Sequence, residues 1–297
     1  MKRISFAIVL VLVAATAFAG GSGEIELGTE ENPIIWALVP SGETSAILAG
    51  AEEVVALLEA ETGLVFETFV ATSYTGVIEA MASDPPGAHM AAMNTFSAIL
   101  ASERGVAEVA LIAVRRGSPT YGGQFVVAAD AGIESLADMA GQTFARPDPF
   151  STSGWIVPSI VLAAAGVDVD ELTVLDAGGH PGVITAVYEG SAVAGSSFVD
   201  AREAVADSFP DVNDQVLVLE EYGPIPNDGI QFSPAMPSEL RDSIVDAFLT
   251  IAGTDEGRDA LVSVYSWDAL IEADDSFYDP FRQVLEASGL DLTQFVD

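Results

Sequence analysis

The 297-residue chain carries 45 acidic against 10 basic side chains, a net charge of −35, and no cysteine. Nucleic acid and anionic membrane surfaces are therefore poor partners, and with no disulfide framework to draw on, a hydrophobic core must supply the stability. Half of the residues are apolar and the acids are dispersed, which argues for a folded protein with a hydrated acidic surface suited to high salt, not a disordered acidic chain.

The N-terminus reads as a secretory leader. Lys2 and Arg3 precede an apolar run over 4–15 that ends in Ala17-Phe18-Ala19, so residues 1–19 are expected to be a signal peptide cleaved near Ala19 and the protein to be periplasmic. The run is shorter than the roughly 20 residues that span a bilayer, and no other stretch is long and apolar enough to span one. The remaining length lies where chains commonly divide into two lobes.

After a Gly/Ser/Glu-rich leader, 33–40 predicts a buried strand, 46–62 a helix stopped by Gly63, and 64–70 a second strand. The alternation continues with helices over 77–82 and 96–104 and strands over 91–93 and 109–114. It argues for α/β layers around a mainly parallel sheet. Around Tyr121-Gly122-Gly123 the chain is expected to cross to a second lobe, with strands over 124–129, 143–146, 173–175, 192–197 and 216–220 and helices over 151–165, 183–189 and 201–207. A return crossing near Tyr222-Gly223-Pro224 leaves the C-terminal third, with a helix over 237–252, on the first lobe. Lobe one thus comprises 31–122 plus 223–297 and lobe two 123–222, and two crossings between lobes make a hinge.

The most informative segment is Pro147-Asp148-Pro149-Phe150-Ser151-Thr152-Ser153-Gly154-Trp155, between a predicted strand and a predicted helix. A helix N-terminus offers unpaired N–H groups and the positive end of the dipole, and three consecutive hydroxyls there can donate to a tetrahedral oxyanion. The same residues also read as a serine N-cap with hydroxylic neighbours. Arg146 and the pair Arg115-Arg116 stand out because cations are scarce; a guanidinium is a common anion clamp, but pairing with the many surrounding acids is the favoured reading. His89, after Asp84-Pro85-Pro86-Gly87, reads as a loop residue. The acidic segments at 168–171 and 274–275 lack calcium-loop spacing, so no metal or cofactor is expected.

Ser151-Thr152-Ser153-Gly154 followed by Pro158 resembles the signature of the phosphate/phosphonate-type periplasmic binding proteins of ABC transporters. Other segments agree in order: Tyr74-Thr75-Gly76-Val77-Ile78-Glu79-Ala80-Met81, Tyr121 before a strand, Gly179-His180 followed by Val187-Tyr188-Glu189-Gly190, and Ile225-Pro226-Asn227-Asp228. The resemblance implies an α/β, two-lobed type II periplasmic binding protein fold with a two-crossing hinge, serving as the solute-binding component of an importer for phosphonate, phosphite or phosphate-like anions. It implies that Tyr74, Tyr121, Ser151, Thr152, Ser153 and His180 hold the phosphonyl oxygens, and that Asp228, with Asp200, faces the amino group of an aminophosphonate. Gly179 and Val193 depart from the pattern, where a serine and an aspartate are usual. The partners so implied are a small oxyanion and an ABC permease, for a monomeric protein that is not an enzyme.

The residues themselves keep duller readings open. Tyr74 and Tyr121 suit a core, His180 an exposed loop as well as a protonated donor, and any one acid among 45 a solvated surface. Two competing functions are a ligand-binding protein feeding a membrane sensor and a serine hydrolase using Ser151 or Ser153 with His180 as base. The hydrolase lacks a Gly-x-Ser-x-Gly elbow, and the chain has neither a zinc His-Glu-x-x-His motif nor a cysteine nucleophile.

Overall fold

Period-two alternation sets the faces of each sheet. In β1 (Ile34–Leu38) Trp36 and Leu38 pack into one buried cluster and Ala37 into another, because successive strand residues point to opposite faces. Helices cover both faces, which is why the strand is an unbroken apolar run. The computed structural model describes residues 26–290, so the leader expected over 1–19 lies outside the described residues.

The chain runs β1, α1 (Thr44–Thr62), β2 (Phe66–Val70), α2 (Tyr74–Ala82), β3 (Met90–Met93), α3 (Thr95–Glu103) and β4 (Glu108–Val114). A second series follows: β5 (Thr120–Ala128), β6 (Thr143–Arg146), α4 (Val157–Ala164), β7 (Thr173–Asp176), α5 (His180–Tyr188), β8 (Ala194–Phe198), α6 (Val212–Gln215) and β9 (Val216–Pro226). It closes with β10 (Gly229–Phe232), α7 (Ser238–Ala252), α8 (Asp255–Tyr265), β11 (Ala269–Glu272) and α9 (Asp279–Ala287). The strands form a six-stranded sheet, β11-β4-β10-β3-β1-β2, and a five-stranded sheet, β7-β6-β8-β5-β9. Each is a separate α/β layer structure with a core on both faces, Trp36 with Phe248 and Phe96 with Met93 in the first, Val126 with Val183 and Phe125 with Phe144 in the second. Gly63, in the left-handed region, ends α1 as expected, its N–H bonded to the Glu59 carbonyl.

The sheets are mixed where the alternation of elements predicts mainly parallel ones. β10 runs antiparallel to β3 and β4, and β5 antiparallel to β8 and β9.

The two glycine-rich segments expected to carry the crossings pair with each other instead, Gly123 opposite Tyr222 and Tyr121 opposite Ile225. Gly123 is there for space: a Cβ at this position would lie 2.0 Å from Cε2 of the Tyr222 ring. The passages between sheets are 115–119 and 227–228, and Asn227 stitches them together. Its Nδ2 donates to the Ala113 and Ser118 carbonyls at 2.9 Å each, its N–H to the Pro119 carbonyl at 2.9 Å, and its own carbonyl accepts the Tyr278 hydroxyl at 3.0 Å. Asn227 is fully buried. Asn227→Ala strands the buried Ala113 carbonyl, while the Ser118 carbonyl keeps the Arg115 N–H, and is expected to cost about 1–3 kcal/mol in chemical denaturation, with the secondary structure unchanged.

Candidate functional site

Ser151 caps a helix whose first turn is wide. Its Oγ accepts the Gly154 N–H at 3.1 Å, while the Ile156 N–H reaches the Ser151 carbonyl and the Val157 N–H that of Thr152, a five-residue spacing. Pro158 explains the widening, since it has no N–H for the Gly154 carbonyl and its ring excludes a tight α-turn there. Both displaced carbonyls find other donors: Gly154 accepts Ser196 Oγ at 2.6 Å, and Ser153 accepts the Tyr222 hydroxyl. Among the described residues the N–H groups of Thr152 and Ser153 have no protein acceptor. All three hydroxyl residues are at most 2% exposed.

Other elements converge on this turn. Tyr74, first residue of α2, is buried with its side chain facing Ser151, and Tyr121 in β5 faces Ser153 and Thr95. Burial pushes both phenols up, Tyr121 to about 12, so each is an O–H donor at neutral pH. The Thr152 hydroxyl joins the two sheets' helices: it accepts from Phe96 N–H at 3.0 Å and Asn94 Nδ2 at 2.8 Å, at the start of α3, and keeps its own proton to donate. Asp148 Oδ2 accepts the Tyr74 N–H at 3.2 Å, and Asn94 Nδ2 also reaches the Phe150 carbonyl at 2.8 Å.

His180 is neither an exposed loop residue nor a charged donor. It is the first residue of α5, only 5% exposed, with Nδ1 2.7 Å from Ser197 Oγ and Nε2 3.5 Å from Ser151 Oγ. Burial, aided by the positive charge of Arg115, pushes its pKa down to about 3, so the imidazole is neutral. Its backbone N–H donates to the Ser41 carbonyl across the lobes at 3.0 Å. Gly179 permits this approach, with φ +149 and a Cβ position 3.4 Å from the Pro40 carbonyl oxygen, a conformation a serine would adopt only under strain.

The acids behave differently. Asp228 lies near the Tyr74 and Tyr121 hydroxyls, but its carboxylate is clasped by Arg115 and by the Trp267 indole N–H at 2.8 Å. Asp200 sits at an exposed edge, paired with Arg116, and among the described residues no hydrogen bond joins it to the hydroxyl cluster. Arg146 turns to Asp176 at 2.6 Å and lies over the Trp155 ring. The arginines singled out by their scarcity are thus ion-paired, as favoured from the sequence. His89 lies in the loop before β3, where its Nδ1 accepts the Ile35 N–H at 3.0 Å.

Sequence reasoning missed Asn94, Thr95 and Ser197. Asn94-Thr95-Phe96-Ser97 repeats, at the start of α3, the hydroxyl-rich strand-to-helix junction seen at 151–154, a signal available in the sequence. Ser196-Ser197 interrupts an otherwise apolar buried strand. An open cleft of about 640 Å³ lies elsewhere and shares no residue with the cluster; with Glu108, Asp242, Asp246, Glu272, Asp274 and Asp275 against one Arg241, it is unsuited to an anion.

A family model described as "ABC transporter, phosphonate, periplasmic substrate-binding protein" matches residues 36–278. The chain is similar to the phosphate-import protein PhnD of Mycolicibacterium smegmatis, 29% identical over 210 residues, covering 66% of this chain and 65% of that protein. It is also similar to the phosphonates-binding periplasmic protein of Escherichia coli, 25% identical over 233 residues, covering 76% of this chain and 68% of the relative. The chain therefore spans just under two thirds of the first of these relatives and slightly more of the second. Among solved structures, a binding protein component of an ABC phosphonate transporter from Pseudomonas aeruginosa superposes with a TM-score of 0.78 at 23% identity, covering 86% of each chain. PhnD1 from Prochlorococcus marinus in complex with methylphosphonate does so with a TM-score of 0.76 at 14% identity, covering 87% of this chain and 98% of that one. At these identities the structural likeness establishes the fold, that of two-lobed periplasmic binding proteins.

Proposed function

Because the chain belongs to the phosphonate family of periplasmic substrate-binding proteins of ABC transporters, we propose that it captures a small phosphonate, phosphite or phosphate-like anion between its lobes and delivers it to a membrane permease. One observation carries this reading: the hydroxyls of Ser151, Thr152, Ser153, Tyr74 and Tyr121 and the neutral imidazole of His180 meet at a helix start with two free N–H groups. Lobe one holds the six-stranded sheet, lobe two the five-stranded sheet, and passages 115–119 and 227–228 are the hinge. The protein works as a monomer in the periplasm, released from its leader near Ala19.

The magnitudes suffice without a cationic pocket. Hydrogen bonds to a charged group contribute about 1.5–3 kcal/mol each, and micromolar affinity needs about −8 kcal/mol, so four or five such bonds offset the cost of closing the lobes. Capture is short-range, because the overall field of an acidic protein repels the ligand. Calorimetric titration at molar salt with phosphate, phosphite, methylphosphonate and aminoethylphosphonate is expected to give micromolar or tighter binding for at least one. Failure of all four would remove the oxyanion reading and leave the family and fold.

The Ser151–His180 contact at 3.5 Å also fits a nucleophile and base. Two features weigh against it: the imidazole is a poor proton acceptor with a pKa near 3, and its second nitrogen meets Ser197, where a hydrolase places a carboxylate. Ester turnover abolished by Ser151→Ala would reverse this judgement.

A further inference from the structure

Arg115 and Asp228 form the one ion pair among the described residues in which both side chains are largely withdrawn from water, 24% and 15% exposed; in every other pair the acid is at least 36% exposed. The contact is two-pronged, Nη1 to Oδ1 and Nη2 to Oδ2, the latter at 2.9 Å. With the Trp267 N–H also on Oδ2, that oxygen has both lone pairs engaged and Oδ1 has one. Arg115 is itself fixed: Nε donates to the Tyr265 carbonyl at 2.9 Å, Nη1 to Asn227 Oδ1 at 3.3 Å, and the guanidinium lies 5.9 Å from the Tyr121 ring centroid. A carboxylate beside an oxyanion cluster is the natural acceptor for a cationic substituent on the ligand. Here its charge is cancelled and a guanidinium stands beside it.

We propose that Arg115 sets the specificity of this site: by holding Asp228 in a closed pair it excludes ligands that carry an ammonium group, so the site takes phosphate, phosphite or alkylphosphonates and rejects aminoalkylphosphonates. The proposal rests on the cluster being the oxyanion site. An ammonium group entering beside the pair loses its water and gains no free carboxylate, whereas a methyl group or a hydrogen loses nothing.

The test is calorimetry at molar salt on the wild type, Arg115→Met and Asp228→Asn, each with methylphosphonate and aminoethylphosphonate. The wild type is expected to prefer methylphosphonate by about 30-fold or more, the fold-change that corresponds to the desolvation penalty of one unsatisfied buried polar group. Asp228→Asn, which keeps the shape and the Trp267 bond, is expected to give aminoethylphosphonate no loss beyond any change shared with methylphosphonate. Arg115→Met frees the carboxylate and is expected to narrow the preference by about tenfold or more. The proposal falls if the wild type binds aminoethylphosphonate as tightly as methylphosphonate, or if Asp228→Asn selectively weakens aminoethylphosphonate. It falls equally if folded Arg115→Met leaves the ratio unchanged. If Arg115→Met does not fold, the wild type and Asp228→Asn still decide. Absence of binding by both ligands and by phosphate would instead overturn the oxyanion site itself, and the specificity with it.

Discussion

Thr152→Val is expected to weaken oxyanion binding by on the order of 10²–10³-fold while barely moving the melting temperature of the ligand-free protein. The Thr152 hydroxyl accepts two donors from the other lobe, Phe96 N–H and Asn94 Nδ2, and has a proton left for the ligand. Two neutral bonds at about 1 kcal/mol each and one charge-assisted bond at about 1.5–3 kcal/mol give roughly 3–5 kcal/mol. Those bonds exist only where the lobes meet. In an opened protein water replaces them, so their loss is charged to closure, and hence to affinity, and not to folding. Titration calorimetry together with a ligand-free melt separates the two. A change in affinity below tenfold would mean that the hydroxyl bridges neither lobe nor ligand.

The second large effect is one of pH. His180 is neutral when folded because burial opposes its charge, with a folded pKa near 3 against an ordinary value of 6.5. Between those values the unfolded chain binds a proton that the folded chain does not, so stability falls as pH drops below about 6.5, by about 1.4 kcal/mol per unit. By pH 4 the loss from this residue reaches about 3 kcal/mol. The dispersed carboxylates titrate over the same range, but they are common to wild type and to His180→Gln, which lacks the imidazole. The stability advantage of the wild type over His180→Gln, measured by denaturant unfolding at pH 7 and pH 4 in high salt, is expected to shrink by about 3 kcal/mol. A constant difference would mean that the ring opens to water and charges freely. Ser197 matters to the same group: a hydroxyl donating to Nδ1 leaves Nε2–H as the donor toward Ser151 and, in the proposed function, toward the anion.

Much of the fold was legible because it follows from local period. The apolar stripe at 46–62 with Gly63 behind it became α1, and 143–146 became β6 unchanged. The glycines at the expected lobe crossings were read locally. Gly122-Gly123 reads in sequence as a place where the chain crosses, but the space it leaves holds the Tyr222 ring, nearly a hundred residues away in the chain, and no local rule gives that. The hydroxyl turn was readable as a helix start; its widening around Pro158, and the donors from Ser196 and Tyr222 that tolerate it, belong to the packed sheet.

The same division runs through the site. By itself the sequence determined which side chains were available: three consecutive hydroxyls, two tyrosines, a histidine and an aspartate, set in ordered motifs within a chain too acidic for nucleic acid and without cysteine. Those are properties of composition and local spacing, and they survive any packing. Only the tertiary structure decided what each group is chemically. Burial made His180 neutral and kept the tyrosines as donors, and the meeting of the two passages between sheets set Arg115 against Asp228 while leaving Asp200 paired with Arg116. The physical reason is that charge state and pairing depend on desolvation and on neighbours remote in sequence, and neither exists until the lobes have formed.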